Sequence, residues 1–147
     1  MFIKTKKKHL TVFAIIIFAL SSCEPWHHDT LTIVNQSETE LDFTTIIYDR
    51  VFLGNGQWKD TTIIENHNVP IGENWIVYDG EGFGSSMGQD GIPWALRAKY
   101  DTIFCDGITL GKNLYDAENW DVVTNISTIG KGGSTNAQFI VTQQDIR

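Results

Sequence analysis

The most constraining feature of this chain is a two-residue rhythm. Leu41, Phe43, Thr45 and Ile47 alternate with Glu40, Asp42, Thr44 and Ile46. Successive side chains of a strand point to opposite faces, so this spacing predicts a strand with one face buried. The texture recurs at 31–34, 60–65, 75–79, 98–105, 108–110, 120–126 and 139–142, short runs rich in β-branched and aromatic residues with turn residues between most of them. No long stretch repeats apolar side chains at helical spacing, and only 112–119 reads as a single helical turn. Asp106-Gly107 lies between two of the runs and predicts a hairpin, because both positions tolerate positive φ. Seven or eight short strands separated by turns predict an all-β fold, an antiparallel β-sandwich. A chain of 147 residues suits one domain, here residues 30–147. Two cysteines rule out a disulfide framework, so packing alone must hold the sandwich, and most of the five tryptophans are expected in its core.

The amino terminus has a different texture. Lys4, Lys6, Lys7 and Lys8 form a basic cluster, followed at 10–20 by eleven residues of which ten are apolar. A helix of that length spans about 17 Å, short against a hydrocarbon core of about 30 Å. A basic segment followed by so short an apolar run reads as a secretory signal. The run ends in Leu20-Ser21-Ser22-Cys23. These four residues resemble the lipobox of bacterial lipoproteins, an aliphatic residue, two small residues and a cysteine. The resemblance implies that residues 1–22 are a signal peptide and that Cys23 becomes the acylated amino terminus. Residues 23–29 then read as the acylated cysteine and a short tether. Glu24 stands where an aspartate would favour inner-membrane retention, so the resemblance implies an outer-membrane anchor with periplasmic or surface exposure.

Without residues 1–22 the chain keeps 7 Lys+Arg against 18 Asp+Glu, a net charge of −11 over 125 residues. That balance excludes a nucleic-acid partner and disfavours binding to an anionic lipid face. Attachment to a membrane is therefore assigned to the lipid. The lipobox, the strand texture and the closing Thr142-Gln143-Gln144-Asp145-Ile146 together resemble small lipoproteins of gut-dwelling Gram-negative anaerobes. The resemblance implies a lipid-anchored sandwich, immunoglobulin-like or similar, and supplies no active site.

Chemistry-bearing patterns are sparse. The Gly-rich segment 79–91 reads as a mobile loop and lacks a dinucleotide fingerprint, since Met87 stands where the third glycine belongs. The spacing from Gly107 to Lys112 misses a phosphate-binding loop by one residue. Asp79, Glu81, Gly84 and Asp90 fit a calcium-loop frame in part, but Phe83 occupies a ligand position. Cys105 and His67 are candidate thiolate partners that no spacing brings together, and His27, His28 and Asp29 form a short potential metal cluster. Neither metal nor cofactor is expected. Trp58, Phe83 and Trp94 sit beside glycine-rich or proline-containing turns, where aromatics at one end of a sandwich form a platform for a sugar ring or an apolar partner. The sequence thus points to a non-catalytic binding or structural accessory protein of the cell envelope. A glycan-binding module using those three aromatics is the first alternative. A small hydrolase built on a carboxylate pair is the second.

Overall fold

A computed structural model describes residues 26–54, 56–83, 86–126 and 132–147. Cys23 and the signal segment lie outside the described residues. Seven strands form two sheets: β1 (Trp26–Gln36), β2 (Leu41–Gly54), β3 (Gln57–Val69), β4 (Asn74–Phe83), β5 (Thr102–Cys105), β6 (Asp121–Ile126) and β7 (Gly133–Thr142). The four-stranded sheet has the order β4-β1-β7-β6 and the three-stranded sheet the order β3-β2-β5. The expectation of a wholly antiparallel sandwich is corrected at its centre, where β1 and β7 run parallel in unbroken register from His27 opposite Gly133 to Gln36 opposite Thr142. A parallel pair needs a long crossover, and the rest of the domain is that crossover.

The alternation seen in the sequence is realised. Leu31, Ile33, Phe139 and Val141 from one sheet meet Leu41 and Phe43 from the other in a single core. Asn35 ties the sheets together, its amide donating to the Val69 carbonyl at 2.9 Å. The Phe43 ring packs on Trp75 at 5.7 Å, and Trp75 is the neighbour of Ile33 in the β1–β4 ladder. Further along β2, the Ile46 carbonyl accepts from the Asp101 amide, beside Tyr100, whose hydroxyl donates to the Val77 carbonyl. These contacts show that β2 runs back along β1 across the core, from the Asn35 end towards the Trp26 end.

Several local expectations differ from the structure. Residues 26–29, read as tether, are the first four residues of β1, and Asp29 among them is buried. A helix, α1 (Ile92–Lys99), stands where none was predicted. Pro93 in its first turn suits the fixed proline φ, and Arg97 and Lys99 lie at its carboxyl end, where cations complement the helix dipole. It buries Ile92, Ala95 and Leu96, an i, i+3, i+4 set too brief to register as a period. The run read as a strand from Ala98 is therefore helix first, with β5 beginning only at Thr102.

Asp106-Gly107 does turn the chain, with Gly107 at φ +67°, but no hairpin follows. Residues 109 and 111 bond instead to Arg147 and Asp145 at the carboxyl terminus. The predicted loop 79–91 begins as strand, since β4 continues to Phe83, and closes in a 3₁₀ turn over Gln89–Gly91. Nor are most tryptophans internal. Trp120 is buried against Phe139 and Trp75 is partly covered, whereas Trp26, Trp58 and Trp94 are exposed. Among the described residues no helix is long and apolar enough to cross a membrane.

The β2–β3 ribbon is much longer than its support. β5 pairs with β2 only over Phe43–Ile46. Past that point β2 and β3 continue as a two-stranded arm, pairing from Ile47 opposite Ile63 to Phe52 opposite Trp58.

Candidate functional site

The extended β1 shapes the most structured surface feature. Strand alternation sends His27, Asp29, Leu31, Ile33 and Asn35 to one side, and the later members of that set are core. Asp29 is carried into the interior with them. Both of its oxygens are used: Oδ1 accepts from the Thr135 amide at 3.1 Å and Oδ2 from the Met87 amide at 3.0 Å. Asp29 thereby joins β1 to β7 and to the segment after β4. His27 lies alongside, its Nε2 3.5 Å from Asp29 Oδ2, while its Nδ1 is buried without a hydrogen-bond partner. A cleft of about 310 Å³ opens above them, lined by His27, Asp29, Tyr78, Ser86, Met87 and Trp94 among others. Trp94 projects from the first turn of α1 and is 71% exposed.

His28 points the other way, by the same alternation. Its Nε2 lies 2.5 Å from Asp79 Oδ1 and its Nδ1 3.8 Å from Glu81 Oε1, both from β4. The Asp79 hydrogen bond outweighs partial desolvation and raises the His28 pKa above its ordinary value. His27, His28 and Asp29, adjacent in sequence, are therefore split between two faces. Asp79 and Glu81, placed by the sequence in a calcium loop, stand two apart on a paired strand. Among the described residues no group of three or more His, Cys, Asp or Glu side chains is arranged to hold a metal ion.

Cys105 and His67 share a row, for both are opposite Phe43, one on each side of β2. Two strand spacings separate them by about 10 Å, beyond proton-transfer reach. His67 is stacked on Trp75 at 4.1 Å. Burial, reinforced by Asp106 and Asp42, pushes the Cys105 thiol up to about 11, away from nucleophilic character. Cys105 borders a second cleft of about 290 Å³ with Ile108, Leu110, Leu114 and Tyr115.

The three aromatics singled out in the sequence fall on separate elements. Trp94 stands at the cleft on α1. Phe83 ends β4, its backbone opposite Trp26. Trp58 sits near the tip of the β2–β3 arm, its ring 4.9 Å from that of Phe52. The contribution of Asp29 and Tyr78 to the cleft was not anticipated. Continuing the period of Leu31 and Ile33 two residues upstream would have placed Asp29 on the buried face. No family model, no curated protein and no solved structure matches this chain.

Proposed function

We propose that the protein is a non-catalytic binding protein of the cell envelope, anchored by lipid at Cys23 to the outer membrane and presenting a two-sheet body to a partner or ligand. The observation that carries the reading is the placement of large aromatic side chains. Trp58 and Trp94 stand mostly in water, outside the buried core. Exposed aromatic surface on a rigid β scaffold is the usual mark of recognition. The use of both Asp29 oxygens by backbone amides supports a structural rather than a catalytic role for the carboxylate nearest the cleft. Seven strands divided four and three support reading the body as an immunoglobulin-like scaffold. The anchor is tested by mass spectrometry of the mature amino-terminal peptide. Diacylglycerol and an acyl group on Cys23 are expected, and an unmodified thiol there refutes the anchor.

The Trp94 cleft favours a saccharide as ligand. An indole face offers the apolar side of a sugar a stacking surface, and Ser86, Tyr78 and His27 line the space beside it with hydrogen-bonding groups. A glycan-array screen of the wild-type chain and Trp94→Ala tests this. Binding that is lost in the variant is expected, and array signals equal in both would remove the cleft from consideration.

A further inference from the structure

We infer that the tip of the β2–β3 arm is a second membrane contact, seated in the headgroup region of the bilayer beside the lipid anchor. The inference builds on the anchored reading but rests on its own observations. The first is the distribution of apolar side chains. Val51, Phe52, Leu53 and Trp58 are 42%, 53%, 58% and 59% exposed. Alternation puts Phe52 and Trp58 on one face of the ribbon and Val51 and Leu53 on the other. A protein partner covers one face of a ribbon, whereas immersion in an interface covers both. Trp at the water boundary with Leu and Phe beyond it is the composition that interfacial segments use.

The second observation is charge. From Arg50 to Lys59 the chain carries two cations and no acid, although the chain after residue 22 has 18 acids against 7 Lys+Arg. With Arg50 paired to Asp60 and Asp49 beside it, the tip is close to neutral on a strongly acidic protein. Arg50 is paired to Asp60 at 2.9 Å at the base of the tip, and Tyr48, Ile63 and Ile64 are exposed further along the ribbon.

The third is position. Phe43 lies level with Ile33 through Trp75. Seven residues onward along β2 is Arg50, and seven residues back along β1 is Trp26. The tip therefore extends past the start of β1 by the four residues after Arg50, Val51 to Gly54, about 13 Å of strand. Cys23 precedes Trp26 by three residues, a covalent reach of at most about 10 Å. A lipid on Cys23 holds the bilayer surface at the end of the sandwich from which the arm projects, and Trp26 is exposed at that same end. Gly54 and Gly56, both at positive φ, let the arm reverse in a narrow turn.

The test uses the full chain, matured in a bacterial host and reconstituted in vesicles of phosphatidylethanolamine and phosphatidylglycerol with brominated acyl chains. Quenching of tryptophan fluorescence by the bromines is expected to be stronger in the wild type than in Trp58→Phe, the difference being the Trp58 component, since Trp26 near the anchor remains in both. Leu53→Asp, which retains Trp58 as reporter at a surface position, is expected to abolish the same component while near-UV circular dichroism stays unchanged. Quenching that is identical in wild type and Trp58→Phe overturns the inference. So does shielding of Trp58 from both brominated lipid and aqueous acrylamide, which would mean that protein covers the tip. The anchor is read separately from the mass of the amino-terminal peptide, so an unmodified Cys23 and an unquenched tip are distinguishable failures.

Discussion

Replacing Asn35 by alanine probes how the two sheets are locked together. Asn35 is fully buried near the end of β1, and its side chain makes four hydrogen bonds. Nδ2 donates to the Thr39 carbonyl at 2.8 Å and the Val69 carbonyl at 2.9 Å. Oδ1 accepts from the Ser37 amide at 3.0 Å and the Ser37 hydroxyl at 2.7 Å. The variant removes all four. The Ser37 hydroxyl keeps its bond to the Thr39 carbonyl at 2.9 Å, so the loss falls mainly on the Val69 carbonyl and the Ser37 amide. A buried polar group stripped of a partner costs about 1–3 kcal/mol. Two such groups put the expected destabilisation at about 3 kcal/mol, or a Tm lower by about 10 °C for a domain of this size. Urea unfolding followed by tryptophan fluorescence measures it, and an unchanged m-value assigns the loss to the native state. Asn68→Ala is the control. Its amide bonds Asp42 at 2.7 Å on the surface, where water replaces the partner, and a change within about 0.5 kcal/mol is expected. If Asn35→Ala costs no more than Asn68→Ala, the reasoning about this lock is wrong. Asn35→Asp adds a sign. It aims a carboxylate at two carbonyls, so burial and repulsion raise its folded pKa above the unfolded value near about 3.9. The variant is then least impaired in acid and loses stability as the pH rises through the folded pKa.

Two further predictions concern titration. The His28 imidazole is expected to titrate above the ordinary histidine range in an NMR experiment, chiefly because Asp79 accepts its hydrogen bond, and Asp79→Asn should bring it down. The stabilisation from that pair is fully present below the unfolded histidine pKa and fades as the pH rises through the folded one; an exposed pair makes it small. Alkylation of Cys105 at pH 8 is expected to be far slower in the folded protein than in urea. A thiol moved from 9.0 to about 11 carries about 100-fold less thiolate, and equal rates in the two states would contradict its burial.

How much was legible can be judged element by element. The alternation of Leu41, Phe43, Thr45 and Ile47 placed a strand and its inward face correctly, because period two is written in the side chains themselves. Asp106-Gly107 marked a turn correctly and a hairpin incorrectly. The dipeptide sets the backbone angles, whereas the partner of residues 109–111 is the distant carboxyl terminus. The helix at Ile92–Lys99 escaped notice because two turns bury only Ile92, Ala95 and Leu96, and the Ala98–Cys105 run suggested strand. The tether reading of residues 26–29 failed because His27-His28-Asp29 is polar. Tertiary contacts override that polarity, since the Thr135 and Met87 amides satisfy Asp29 inside the protein. Trp58, Phe83 and Trp94 were legible as aromatics next to turns, but not as residues of three separate elements.

By itself the sequence determined that the body is mostly strand, the inward face of β2 and the acidic balance of the chain. These are local properties of residue type and spacing. Only the tertiary structure decided that β1 and β7 pair in parallel, that β5 stops after four residues, and that the β2–β3 arm runs on past it to an apolar tip. Pairing partners and the point where support ends depend on contacts between segments far apart in the chain. No residue encodes such a contact alone, because the same alternating strand satisfies its inward face equally well against many neighbours.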